Sequence, residues 1–373
     1  MKLLKLQIEN FRNYSEYSYS FEADPNITIL VGSNGLGKTN LLEAVYMLSL
    51  GRSFRTSSKD DLVQWGKEYF RCKGLINPSS ADAADDYDQD PLELEVFYSS
   101  FPARRRNFRL NGVNTTYPRF LGNLITVLFH PEDLNMLYLS PTLRRDYLDT
   151  VLSQTDRDYV VALSNYEKVL KQRNSLLGQI REARFQGMSD IKLLLDLDVW
   201  DEELVKFGEV VVAKRKAFVD FINSALSHHY KEISGTDDKV RVEYQCNVLG
   251  SAPNFYAAAV LERRQLDLIQ AKTTRGPHRD DLFFYINEKR IDGIASRGEF
   301  RTLLLAIKLA EIDYIKSVKK TFPLLLLDDV FSELDPDRQK HLLSAISGCQ
   351  TIITTTHWEG FGEELSGVKI VEM

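Results

Sequence analysis

The sequence is poor in cysteine, has no excess of positive charge and contains no long apolar run, and each absence removes a class of function. Cys72, Cys246 and Cys349 are its only cysteines, and no two form a C-x-x-C pair. That spacing supports neither a disulfide framework nor a zinc knuckle, and it suits a reducing compartment, the cytosol. Asp and Glu total 53 against 47 Lys and Arg, a formal charge of -6. No global positive field draws the chain to nucleic acid or anionic lipid, so any such contact must come from a local patch. No stretch approaches the roughly 18 apolar residues that a membrane-spanning helix needs. Leu4, Leu6 and Ile8 alternate with Lys5, Gln7 and Glu9, the period of a half-buried strand rather than of a signal peptide. No membrane partner is expected.

What is present is material for a core. Over 373 residues, 43% hydrophobic and 27% charged, disorder is excluded as the dominant state and two or three compact units are expected. Strands are expected at Leu4–Ile8, Tyr17–Phe21 and Ile27–Val31, followed by a glycine-rich turn and a helix over Asn40–Leu50. Strands at Tyr69–Ile76 and Leu92–Tyr98 flank the acidic stretch Ser79–Pro91, read as a solvated hairpin loop. From Thr142 to Ile180, and again from Trp200 to Ala225, apolar residues step by three, four or seven, with Gly187 in the polar stretch between them. That pattern predicts an antiparallel helical arm. Strand character returns at Val240–Cys246, a short helix follows at Phe255–Ile269, then a hairpin at Leu282–Ile291 and strands at Pro323–Asp328 and Thr351–Thr354. The chain therefore reads as one discontinuous α/β domain, residues 1–135 and 272–373, interrupted by a mainly helical arm, residues 136–271.

Two motifs carry chemistry. Gly32, Ser33, Asn34, Gly35, Leu36, Gly37, Lys38 and Thr39 spell G-x-x-x-x-G-K-[ST] between a buried strand and an amphipathic helix. In that context the glycines let backbone NH groups curl around a β-phosphate, Lys38 reaches the β and γ phosphates, and Thr39 offers a hydroxyl to magnesium. The run Leu324–Leu327 predicts a central parallel strand whose first carboxylate, Asp328, can hold magnesium, while Asp329 can act as a base toward water. About 290 residues separate the two motifs, against roughly a hundred in small GTPases and helicases, so the nucleotide head must be split.

That separation resembles the ATP-binding-cassette ATPases, in the branch that holds Rad50 and the SMC proteins. Ser296-Arg297-Gly298-Glu299 opens a helix where that superfamily carries its signature, although a serine and a glycine there also suit an ordinary helix cap. Within the branch the chain is similar to the RecF family of bacterial recombination mediators. The likeness rests on Phe11-Arg12-Asn13-Tyr14, Gly51-Arg52-Ser53-Phe54-Arg55, Phe129-His130-Pro131-Glu132-Asp133-Leu134, Arg144-Arg145-Asp146, Lys171-Gln172-Arg173-Asn174 and Gly276-Pro277-His278-Arg279-Asp280-Asp281, in order along essentially the whole chain. Rad50 and SMC arms need hundreds of coiled-coil residues, and about ninety are available here.

The resemblance implies an ABC-type P-loop head, a mixed sheet with flanking helices, with an inserted helical arm. It implies ATP and Mg2+ as cofactors and a homodimer that closes on two nucleotides, Lys38 of one chain and Ser296 and Gly298 of the other meeting one γ-phosphate. Thr39 and Asp328 would hold the metal, and Asp329 would activate water in a slow hydrolysis. Arg12 and Asn13 would touch nucleotide, Asp335 would lie at the dimer seam, and Glu132 would couple the lobes. The implied partners are gapped or junction DNA, both single- and double-stranded, RecR and possibly RecO, with RecA loaded as the outcome; the implied setting is cytoplasmic, at the nucleoid. Two departures stand out: Glu299 where the pattern has glutamine, and His357 after the threonines Thr354–Thr356. Candidate DNA contacts are Arg52, Arg55, Lys59, Arg104, Arg105, Arg106, Phe108 and Arg109, whereas Lys214-Arg215-Lys216 reads as a solvated face. A transporter ATPase would be shorter, with a full Ser-Gly-Gly-Gln and no arm. A nuclease-associated head would need an acidic domain after the cassette, and a pure scaffold would not need both Asp328 and Asp329.

Overall fold

The computed structural model describes residues 1–21, 26–78, 90–248, 255–293, 295–356 and 368–373. The acidic stretch, nearly all of it, and His357 lie outside them. The chain divides into two compact units, Met1–Leu134 with Ala225–Asp238 and Ala295–Met373, and Asn135–Ser224 with Lys239–Ile294. No helix among the described residues is long and apolar enough to cross a membrane.

The first unit layers two sheets about one helix. An antiparallel sheet runs in the order Tyr14–Ser20, Lys2–Phe11, Tyr69–Asn77, Leu92–Ser99, Arg105–Leu110, Val113–Thr115. A wholly parallel sheet runs Val368–Glu372, Ile27–Val31, Thr351–Thr355, Leu324–Asp328, Thr126–Phe129. Helix Lys38–Leu50 touches strands of both sheets and is buried nearly all round, as a helix between two apolar faces must be. Its approach is close: a Cβ on Gly74 would lie 2.8 Å from Leu48 Cδ1. All the parallel strands but Val368–Glu372 are buried on both faces, the mark of a covered sheet, and Ile29, Val127, Leu325, Leu327 and Ile353 share a core with Leu305, Leu309 and Leu342 from helices Arg297–Lys319 and Pro336–Ala345. The two chain ends are stitched by Gln350, whose side chain accepts from Leu3 N at 2.7 Å and donates to Leu3 O at 2.9 Å.

The second unit holds helices Pro141–Thr155, Arg157–Phe185, the larger part of Ile191–Ser234, and Phe255–Gln270, with an antiparallel sheet Lys289–Arg290, Asp281–Ile286, Val240–Gln245. Gly187 takes φ +68° in the reversal between the two long helices. Arg173 meets Asp201, and Asp156 meets Lys214; the first index rises as the second falls, so the helices run antiparallel. Arg215 corrects the reading of Lys214–Lys216 as a solvated face. It is 2% exposed and donates to Tyr159 OH, Asp149 and the Pro277 carbonyl. Helical period explains this, since Arg215 follows buried Val211 by four positions and precedes buried Phe218 by three.

His278 gives this unit a pH dependence. Its Nδ1 lies 2.6 Å from Tyr166 OH and its Nε2 3.2 Å from Thr273 O, so the neutral ring accepts from the tyrosine and donates to the carbonyl. Burial, helped by Arg279 and Arg145 and opposed by the Thr273 bond, pushes its pKa from 6.5 down to about 4. The unfolded chain then binds the proton that the folded chain refuses. The contribution is complete above pH 6.5 and is lost as pH falls toward 4, at most about 3 kcal/mol. Melting curves across that range should show a loss of stability that His278→Gln does not share.

Candidate nucleotide site

Strand Ile27–Val31 ends at Gly32, and the chain turns through Gly37 into the helix starting at Lys38. Gly35 and Gly37 hold φ of +88° and +103°, angles that side chains resist. At Gly37 the space is closed as well, because a Cβ would lie 2.5 Å from Asn13 Nδ2. Asn13 Nδ2 donates to Leu36 O at 3.3 Å, Asn40 Nδ2 donates to Asn13 Oδ1 at 2.8 Å, and Tyr14 OH donates to Gly37 O at 3.2 Å. Burial, with Tyr17 beside it, raises the pKa of Tyr14 and keeps that phenol a donor. The hairpin after the first strand thus clamps the loop, while Ser33, Asn34, Gly35 and Leu36 stay exposed.

Lys38 is 8% exposed, and its amine donates to Gly32 O at 2.6 Å and Ser33 O at 2.9 Å. Thr39 Oγ1 donates to Asp328 Oδ1 at 2.8 Å across 289 positions. Thr354 Oγ1 donates to the same oxygen at 2.8 Å, and His130 Nε2 stands 3.5 Å from Asp328 Oδ2. His130 was not among the sequence-derived site residues. The signal lay in two apolar strands each ending in a polar residue: Leu327 pairs with Phe129 in parallel register, which brings the next residues, Asp328 and His130, side by side. Asp329 takes φ +52°, and its NH bonds both Thr354 O and Thr354 Oγ1, at 3.2 and 3.1 Å.

This donor set fits a magnesium-bound nucleoside triphosphate. A cation sits under an exposed glycine loop, and a hydroxyl and a carboxylate are already joined beside it. Among the described residues no group of three or more His, Cys, Asp or Glu side chains is arranged to hold a metal alone. An ion held by Thr39 and Asp328 would complete its shell with phosphate oxygens and water, as magnesium commonly does.

A family profile for the RecF/RecN/SMC N-terminal domain matches residues 2–372. The DNA replication and repair protein RecF of Bacillus mycoides (strain KBAB4) is 35% identical over 372 residues, 98% of this chain and 94% of its own length. The chain belongs to the RecF family. A solved structure of the recombination mediator protein RecF with ATP, from the RecFOR pathway, matches with TM-score 0.86 and 30% identity over 99% of this chain and 95% of that one. A Pyrococcus furiosus Smc head domain with an extended coiled coil, bound to the C-terminal domain of ScpA, matches with TM-score 0.53 and 18% identity, over 95% and 89% of the two chains. That likeness is one of fold. The architecture is the ABC-type ATPase head shared by RecF and SMC proteins.

The remaining residues read from the RecF resemblance are not all joined to the loop. Arg12, at φ +55°, is held by Glu43: Nε and Nη2 donate to its two oxygens at 2.8 and 2.7 Å. Ser296 caps helix Arg297–Lys319 in a reciprocal box, its Oγ accepting from Glu299 N at 3.2 Å and its NH donating to Glu299 Oε2 at 2.6 Å. Glu299 therefore serves in the cap of its own helix, a role that glutamate and glutamine can both fill. Gly298 is beside Arg338, whose Nη2 would be 3.9 Å from an added Cβ. Within one chain, the hydrogen bonds of Ser296 stay at its own helix start. Asp335 caps the next helix by accepting from Arg338 N at 3.0 Å, and Glu132 is exposed.

Of the candidate DNA contacts, Arg104 pairs with Asp60 at 2.6 Å and Arg109 with Glu95 at 2.9 Å. Arg106 donates to Gly51 O at 3.1 Å and lies over the Phe108 and Tyr117 rings. Arg55 donates to Asn40 Oδ1 at 2.9 Å. Lys59 has its pKa lowered by burial and by the Arg106 charge, so these two cations share one local field.

Proposed function

We propose that this RecF-family chain is an ATP-dependent DNA-binding protein of recombinational repair and replication-fork maintenance. It closes as a dimer on ATP, recognises gapped or junction DNA, and works with RecR and RecO to load RecA, in the cytoplasm at the nucleoid. The observation that carries the reading is the Thr39–Asp328 pair, joined beside the Lys38 amine that lies beneath the exposed loop Ser33–Leu36. Lys38 would exchange its loop carbonyls for β- and γ-phosphate oxygens, and Thr39 with Asp328 would hold magnesium, which supplies charge neutralisation on those oxygens. Asp329 would orient water or take its proton. Ser296 and Gly298 of a second copy would offer a hydroxyl and a helix N-terminus to the γ-phosphate, which makes closure depend on the third phosphate. The head is drawn from both ends of the chain and the arm from its middle, and Arg52, Lys59 and Arg105 are the head residues offered to DNA phosphates.

Sedimentation with and without ATP and magnesium tests closure, and an ATPase assay with and without gapped DNA tests function. The expected results are a mass that doubles with ATP and turnover that rises with gapped DNA. An unchanged mass sinks the trans site, and unstimulated turnover sinks the repair reading.

A further inference from the structure

We propose that the second unit carries a phosphate-binding site of its own, separate from the loop Gly32–Thr39. After helix Phe255–Gln270 the chain closes a surface cavity of about 480 Å³ whose lining includes Arg263, Lys272, Arg275 and Arg279, with no carboxylate and no aromatic ring among the described residues that line it. Four like charges around one space repel one another, a cost that an anion relieves.

The walls are built rather than loose. Asp267, 1% exposed, accepts at Oδ1 from Thr274 N (2.9 Å) and Thr274 Oγ1 (2.6 Å), and at Oδ2 from Arg173 (2.7 Å). Thr273 N donates to Asn174 Oδ1 at 2.7 Å and Gly276 N to Asn247 Oδ1 at 3.1 Å, while Arg275 donates to the Asn247 carbonyl. Every anchor of the segment 272–276 is thus spent inward or on the wall. Apart from Arg275, the cations that line the space are far less engaged. Among the described residues, the Lys272 and Arg279 side chains have no hydrogen-bond or ion-pair partner. Arg263 Nε is shielded from solvent without a hydrogen bond, its nearest carboxylate being Glu262 at 3.9 Å.

The chemistry selects phosphate oxygens over bases. Among the described lining residues there is no ring to stack on, so base recognition has no platform there, whereas ammonium and guanidinium groups held by a fixed wall suit phosphates. Two sources share that chemistry, the backbone of a nucleic-acid strand and a free polyphosphate. The first rests on the DNA reading above and the second does not.

The test uses the full chain with Lys272→Gln/Arg279→Gln, and Lys171→Gln/Lys192→Gln as a charge-matched pair elsewhere. Duplex retention is measured over a salt series with ATP and magnesium. Pyrophosphate binding is measured by calorimetry in a Lys38→Ala host, where the first loop is disabled. If backbone phosphate is the ligand, the cavity pair lowers duplex affinity about tenfold or more at low salt and reduces the salt slope by up to roughly 1.8, the matched pair does not, and Lys272→Arg/Arg279→Lys retains binding. If free polyphosphate is the ligand, only pyrophosphate binding is lost. If wild type retains no duplex, the DNA reading fails and the pyrophosphate arm still decides the site. Equal effects of the two pairs on both probes, or no binding of either probe, overturn the proposal. Should the double variant unfold, Lys272→Gln alone, at an exposed side chain, replaces it.

Discussion

Asp329→Asn is expected to leave ATP bound, to hold two heads closed, and to lower turnover by about two to four orders of magnitude, the usual worth of a positioned base. Asp328 and Asp329 are neighbours with different surroundings. Asp328 is 4% exposed and engaged by Thr39, Thr354 and His130, and in the proposed function its oxygens would hold the cation. Asp329 is turned out of the strand by its φ of +52°, with its NH fixed to Thr354. Asparagine tolerates that left-handed angle as well as aspartate does. The substitution therefore keeps the backbone and shape and removes only the capacity to take a proton. Lys38→Ala makes the contrast, because it deletes the cation beneath the loop and should abolish nucleotide binding itself. Filter-bound ATP, released phosphate and sedimentation, measured together, separate the two. Wild-type turnover in Asp329→Asn would place the base elsewhere, and lost binding would make Asp329 structural.

The parts of the site legible in the sequence are those whose physics is local. Positive-φ glycines, a lysine opening a helix and a strand ending in carboxylates each leave a mark within a few residues. The Thr39–Asp328 contact spans 289 positions, and only the joint occurrence of two motifs foretold it. His130 was missed because its neighbour is set by strand register, which no local pattern prints. Arg215 was misread because a Lys-Arg-Lys run suggests solvent, although its helical phase with Val211 and Phe218 pointed inward. Ser296 shows a third case. The cap reading and the signature reading predict the same residues, and within one chain the structure exhibits the cap. The strands Val240–Gln245 and Asp281–Ile286 follow the sequence pattern closely, yet their pairing with each other across a helix had no local sign.

Arg173→Ala is expected to cost about 3–5 kcal/mol, the penalty for leaving buried charge without its partner. Arg173 is fully buried and bonds Asp201 at 2.6 Å, Asp267 at 2.7 Å and Thr273 Oγ1 at 2.8 Å. Burial lifts the pKa of Asp201, and the arginine works against that lift. Without the guanidinium, two carboxylates would face each other's elements with no cation between them, except where Arg264 stands 3.6 Å from Asp201. Lysine is no substitute, since one ammonium cannot span both acids in the planar fork that arginine presents. The damage should also spread along a definite path. Asp267 fixes Thr274, and Thr274 belongs to the wall that carries Lys272 and Arg275. Hydrogen exchange resolves this where a global melt of two units would blur it. Protection in helix Phe255–Gln270 should fall more than a hundredfold while helix Lys38–Leu50, in the other unit, keeps its own. An unchanged rate in the first helix would mean that solvent or a neighbouring arginine has compensated the two acids. A loss in both helices alike would mean that the two units unfold as one, and that the arginine cluster supports the whole chain rather than its own unit.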